Sequence, residues 1–185
     1  MRRDLGRKPW FYPLPVLIIG TYDKNGVPDA MNAAYGGLYN SGMIEFSIGH
    51  GRKTFQNIQA SKAFTVSFAD AANLAASDYV GLVSGSDTPD KIRRTGWTVT
   101  PSRFVNAPLF EELPVTWECE FVRLTEEGNV LGRLVNISAR EDVLAEDGTV
   151  NMEKFKPLVF DHATYDYLKV DGIAGKAFEA GKCLM

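Results

Sequence analysis

A six-residue run, Gly49-His50-Gly51-Arg52-Lys53-Thr54, brings together the ingredients of an anion cradle. Glycines at 49 and 51 let the backbone bend close around a ligand. Arg52 offers a bidentate fork and Lys53 a point charge. Thr54 is placed either to cap the helix predicted next or to give its hydroxyl to a phosphate oxygen. The start of a helix presents unpaired N–H groups and partial positive charge, where an anion sits readily. Asn57, one turn on, adds an amide donor. Taken alone, the run reads equally as a phosphate site or as a solvated basic turn with an ordinary threonine cap.

Other chemistries lack raw material. The chain has two histidines, His50 and His162, and two cysteines, Cys119 and Cys183, without metal-ligand or disulfide-framework spacing. No G-x-S-x-G, H-E-x-x-H, Walker A or G-x-G-x-x-G pattern occurs. An enzyme built from this sequence therefore calls for a bound organic cofactor to carry its reaction, and no catalytic residue is assigned. His50 is given no role and His162 reads as a surface or turn residue. Cys119, on an apolar strand, reads as a small buried hydrophobe, and Cys183 as available for oxidation. Asp87 and Asp90 look like helix-start residues. Tyr165 and Tyr167 either cover a ligand or, the better reading for each, pack the last segment.

The elements that must position these residues follow from pattern. A strand is predicted over 16–22, an Asn25-Gly26 turn, then a return through 30–35, where Ala30, Ala33, Ala34, Gly36 and Gly37 stand in place of bulky β-formers. Such small residues suit either a flat ligand against the backbone or tight barrel packing. Strands are predicted over 43–49 and 64–68, where apolar residues alternate, and over 98–104, 115–125 and 130–137. Short helices are predicted over 55–60, from a cap at Asp70 to about 78, and from Asp87 or Thr88 through Pro89 to Gly96. Many short strands with few helices predict a mainly β fold with short helices, a decorated barrel.

At 185 residues, 45% hydrophobic and 23% charged, the chain suits a single domain over 1–185. A net charge of -3 argues against a general nucleic-acid or anionic-membrane binder. The apolar run 16–19 is too short to span a bilayer, and the start lacks a secretory pattern. A reduced cytoplasmic compartment is the default expectation.

The ordered set of segments resembles the flavin reductase-like family, which includes flavoredoxins and shares an FMN-binding split β-barrel of Greek-key type. The resemblance rests on Pro15-Val16 through Asn25-Gly26, Asn32-Ala33-Ala34-Tyr35, Ser47 to Gly49 and Arg52-Lys53-Thr54-Phe55-Gln56-Asn57-Ile58. It continues through Phe64-Thr65-Val66-Ser67, Ser84-Gly85 to Asp90-Lys91, Trp117-Glu118-Cys119-Glu120, Gly132-Arg133-Leu134-Val135 and Tyr167-Leu168 to Ala177-Phe178. It implies FMN as cofactor, with Asn32, Ala33, Ala34 and Tyr35 along the isoalloxazine ring. By the same resemblance Ser47, Ile48 and Gly49 line the ribityl chain and ring, and Arg52, Lys53 and Thr54 hold the phosphate. Lys91 matches a family lysine that reaches the cofactor, and Ser84 lies in the loop leading to it. The implied site sits at a homodimer interface, with 1–12 as an N-terminal arm and 142–185 as an extension packing on the barrel or the dimer partner. Two departures stand out. Tyr35 and Tyr39 are the aromatics near the place where many members carry Trp, and Glu126-Glu127-Gly128-Asn129 lacks the histidine many members place there. The expected activity is FMN-dependent electron transfer from NAD(P)H or a protein donor. The alternatives are an electron carrier with little NAD(P)H turnover, or a split-barrel protein binding another ligand.

Overall fold

A computed structural model describes residues 1–170 and 172–185. The first half contains β1 (Leu14–Pro15), β2 (Leu17–Tyr22), β3 (Pro28–Ala33), β4 (Gly36–Asn40), β5 (Met43–Phe46), α1 (Lys53–Ser61), β6 (Ala63–Phe68) and α2 (Leu74–Leu82). The second contains α3 (Lys91–Thr95), β7 (Val99–Pro101), β8 (Pro108–Phe110), β9 (Val115–Leu124), β10 (Val130–Ala139), α4 (Met152–Phe155), β11 (Leu158–Asp161) and β12 (Asp166–Lys169). The expectation of a mainly β fold with short helices holds.

Seven strands form one antiparallel sheet in the order β3-β2-β6-β9-β10-β5-β4. Its two outermost strands, β3 and β4, are consecutive in the chain and joined only by Ala34 and Tyr35. A link that short forces the sheet to curl until its ends meet, which makes a barrel split at residues 34–35. The inside of the curl is filled by Leu17, Ile19, Ile44, Phe46, Ile58, Phe64, Val66 and Val130. Side chains alternate along a strand, so Ile18 points the other way, into a second cluster with Ala30, Val80, Ile92, Trp97 and Phe110. Burial on both faces is why β2 reads as a continuous apolar run.

Gly132 sits where β10 passes the Phe64 ring, and a Cβ there would lie closer to the ring than real carbon contacts permit. Phe64 is fully buried and has no room to yield. Gly132→Ala is therefore expected to cost about 1–3 kcal/mol in urea unfolding, with the fold retained.

Several boundaries differ from expectation for identifiable reasons. The Asp70 carboxylate accepts from both the backbone and side-chain N–H of Asn73, closing a turn, so α2 starts at Leu74 instead of at Asp70. Ser84 O accepts from Asp87 N and Thr88 N, and Thr88 O from Lys91 N. Pro89 thus lies in the turn before α3, and Asp90 takes the cap position. The strand predicted over 98–104 stops at Pro101 because the Ser102 hydroxyl accepts from Phe104 N and Val105 N and turns the chain back. Five strands, β1, β4, β8, β11 and β12, lie outside the predicted set.

Burial and the neighbouring Glu118 push the Cys119 thiol up to about 12, whereas Cys183 is exposed. Native protein is expected to react rapidly with one equivalent of Ellman's reagent, and with two after denaturation.

Candidate functional site

One pocket gathers residues from β3, the start of α1, the end of α2 and the loop into α3. Its lining includes Asp29, Asn32, Arg52, Lys53, Thr54, Gly81, Ser84, Gly85 and Lys91. Six of the residues singled out from sequence, Asn32, Arg52, Lys53, Thr54, Ser84 and Lys91, therefore meet in space although they span sixty positions of chain.

The charge arrangement is specific. The Lys91 ammonium is buried, with its side chain 4% exposed, and lies 3.5 Å from Asp29 Oδ1, on a side chain 2% exposed. Asp29 Oδ1 has no hydrogen-bond partner, while Oδ2 accepts from the Thr54 hydroxyl at 2.9 Å. Burial lowers the Lys91 pKa; Asp29 opposes that shift, and Lys53 and Arg52 add to it. Lys53 is held 3.4 Å from Asp23. Arg52 is the one pocket cation with no carboxylate partner among the described residues, and it is exposed. Arg52 is also the N-cap of α1 and makes no side-chain cap bond. The first N–H groups of that helix accordingly have no intrahelical acceptor, and Lys53 and Thr54, which carry two of them, line the pocket.

Asp29 was missed by the sequence reading. The signal available was its place as the one charged residue of strand β3, where a carboxylate needs a cation. Gly85 completes the arrangement. A Cβ at that position would collide with Asp29 Oδ1, so the absence of a side chain lets the 84–88 turn close over the carboxylate.

The remaining sequence-selected residues lie elsewhere. Asn57 is buried and its Nδ2 donates to Thr21 Oγ1 inside the fold, so its amide is committed away from the pocket. The Thr54 hydroxyl hydrogen is spent on Asp29, which leaves the helix N–H as what Thr54 offers an anion. Ala33 and Ile48 are buried in the barrel core. Tyr35 and Ser47 sit side by side at the split, Ser47 N donating to Tyr35 O at 2.8 Å, with Ala34 before them. Gly49 O accepts from Arg52 N at 2.9 Å, closing the turn into α1. His50 stacks on Phe55 and bonds Gly128 O at 2.9 Å, tying this turn to the β9–β10 connection.

Near the split, the β11–β12 hairpin supplies two polar ties. Asn32 Nδ2 donates to Ser77 O at 3.1 Å and to Tyr167 Oη at 3.2 Å. Tyr167 in turn donates to Asp78 Oδ1 at 2.8 Å, and burial together with that bond pushes its phenol up to about 12. Tyr35 Oη lies 2.8 Å from His162 Nε2, whose Nδ1 lies 3.0 Å from Pro9 O. His162 lies in the turn after β11 with both ring nitrogens satisfied, as a turn residue was expected to be, and its partner is Tyr35.

The profile of the flavin reductase like domain matches residues 8–169. The chain belongs to the flavin reductase-like family. Among solved structures it is similar to flavoredoxin of Desulfovibrio vulgaris (Miyazaki F), with TM-score 0.94 and 32% identity, covering 98% of this chain and 100% of that one. Flavoredoxin from Methanosarcina acetivorans gives TM-score 0.89 and 25% identity, with both chains covered in full. An FMN-binding domain of a flavin reductases-like enzyme from Shewanella baltica OS155 shares the fold, with TM-score 0.78 at 14% identity and 88% of each chain covered. Membership makes this flavin reductase-like protein a flavin-related oxidoreductase or electron carrier, built on the split barrel described above.

Among the described residues, no group of histidine, cysteine and acidic side chains could hold a metal ion. No helix among the described residues is long and apolar enough to cross a membrane.

Proposed function

We propose that this protein binds FMN and passes electrons from a nicotinamide nucleotide or a protein donor to an acceptor. The observation that carries the reading is the buried Lys91 ammonium beside the open start of α1, in one pocket with the partner-free Arg52. A buried cation with a single carboxylate neighbour at 3.5 Å is well suited to a second anionic ligand. The group fits: Arg52, Lys53, Lys91 and the first N–H groups of α1 would hold the phosphate. Asn32, Tyr35 and Ser47 would border the ring, in line with the split that separates β3 from β4.

When bound, the flavin supplies the redox chemistry. The chain's own residues bind and orient it. Asn32 has both amide hydrogens engaged by Ser77 and Tyr167, so its free polar atom is the acceptor Oδ1, held in a fixed direction. Gly85 and Gly81 let the backbone approach, and the Asp29 carboxylate keeps Lys91 and Thr54 in register.

A second reading, an electron carrier with little turnover on free nicotinamide, draws on the similarity to two flavoredoxins. Purified protein is expected to be yellow and to release FMN on heating; a colourless protein that ignores added FMN would remove both readings. Oxidation of NADH or NADPH with free flavin or ferric acceptors separates the enzyme from the carrier. A homodimer is proposed as the working assembly, supported by exposed Leu38 and Tyr39 on the terminal strand β4. Light scattering at the expected monomer mass would contradict it.

A further inference from the structure

The Tyr35–His162 contact has a built-in direction. A carbonyl oxygen only accepts, so the nitrogen facing Pro9 O at 3.0 Å, His162 Nδ1, must carry a hydrogen. A neutral imidazole carries one N–H, which leaves Nε2 bare to accept the Tyr35 phenol hydrogen at 2.8 Å. Protonation at Nε2 reverses that bond: Nε2–H then donates to Tyr35 Oη, and the phenol hydrogen is free to point outward. Pro9 holds Nδ1–H in both states, so Nε2 is the single place where the ring gains or loses a proton.

We propose that Tyr35 is a catalytic proton donor at the split of the barrel, reloaded by His162 as a positioning residue, toward flat conjugated acceptors that take up a proton on reduction. The inference rests on the flavin reading of the site given above. Tyr35 is 55% exposed and stands at the split, three residues beyond Asn32, with its backbone fixed by Ser47 N. The His162 ring meets it edge-on at 5.5 Å, and Phe160 and Tyr165 lie 6.1 and 5.9 Å from that imidazole, giving an aromatic wall beside the hydroxyl. A purely structural tie would need neither the exposed phenol nor the fixed tautomer.

For a quinone acceptor the step balances as follows. Bound in its reduced form, the flavin would supply the hydride equivalent, two electrons and one proton, that the quinone takes up. The Tyr35 O–H bond breaks as its proton forms an O–H bond on a quinone oxygen, and Tyr35 Oη takes the proton from His162 Nε2. The imidazolium becomes the neutral Nδ1–H ring, and solvent returns the proton. Groups placed to influence the ring are Tyr35 from the β3–β4 link, the Pro9 carbonyl from the N-terminal arm, Tyr165 from its own hairpin, and the carboxylates Asp161, next in sequence, and Asp166, its cross-strand partner.

The test uses full-length protein loaded with FMN, photoreduced, and mixed anaerobically with duroquinone or with ferricyanide, which takes an electron and no proton. Tyr35→Phe is expected to slow duroquinone reduction on the order of 100-fold more than it slows ferricyanide reduction. Wild-type duroquinone reduction should fall as pH rises, and His162→Gln should abolish that dependence. Nitrogen NMR of the FMN-free protein should show the neutral His162 ring protonated at Nδ1. Protonation at Nε2, or a Tyr35→Phe effect that is equal for both acceptors or absent from both, overturns the relay while FMN binding stands. Failure of the wild type to bind FMN overturns the site reading and the relay together.

Discussion

Asp29→Ala lowers the stability of the FMN-free protein by about 3 kcal/mol or more, read from urea unfolding. Among the described residues the carboxylate is the sole acidic partner of a lysine whose side chain is 4% exposed, and its removal leaves an ammonium stranded out of water. It also releases the Thr54 hydroxyl at the start of α1. Removing both charges at once, Asp29→Ala with Lys91→Met, should recover most of the loss, because an apolar pair of similar volume replaces a costly ionic one. A double variant no more stable than the single one would show that Asp29 acts through packing alone.

The lowered Lys91 pKa gives this pair a signature in pH. In the folded, ligand-free protein the charged lysine is disfavoured, chiefly by burial, so the native state sheds its proton before the unfolded chain does. Between that lowered pKa and the ordinary lysine range, the unfolded state binds more protons, and this group's contribution makes stability rise with pH. Phosphate binding runs the other way, since an anion needs the ammonium charged. FMN affinity should therefore fall over the same alkaline window, and Lys91→Met should flatten both trends, measured by fluorescence titration and by unfolding at each pH.

Arg52→Ala weakens FMN by roughly 1.5–3 kcal/mol, on the order of 10- to 100-fold in Kd, and leaves riboflavin affinity nearly untouched. Arg52 is the cation expected to matter most because it has no carboxylate to leave. Lys53 must be drawn from Asp23, 3.4 Å away, so part of its contact energy is offset and Lys53→Ala should cost less. Equal weakening of FMN and riboflavin by Arg52→Ala would argue against a phosphate at this end of the pocket.

What could be read from the sequence tracks how local each signal is. The turn 49–54 and the helix after it were legible because glycine, cation and cap residues act within a few positions. Their meeting with Ser84 and Lys91 was legible only through resemblance, since nothing local joins α1 to the loop before α3. Asp29 went unnoticed because its meaning depends on Lys91, far along the chain. Asn57 was misread for the complementary reason: a polar residue one turn into a helix looks available until Thr21 on β2 is seen to claim it. The strand β4 was hidden because its sequence, GGLYN, is exposed apart from Gly36 and is held by pairing with β5.

The β11–β12 hairpin stitches late chain to early chain, Tyr167 to Asn32 and His162 to Tyr35, and thereby sets where the polypeptide tolerates a cut. A protease nick inside Leu158–Lys169 would unfasten both residues that border the split at once. The same nick among the exposed residues 172–185 leaves both fastenings whole. Digestion fragments that keep their yellow colour should therefore retain everything through Lys169, and fragments ending short of it should bleach.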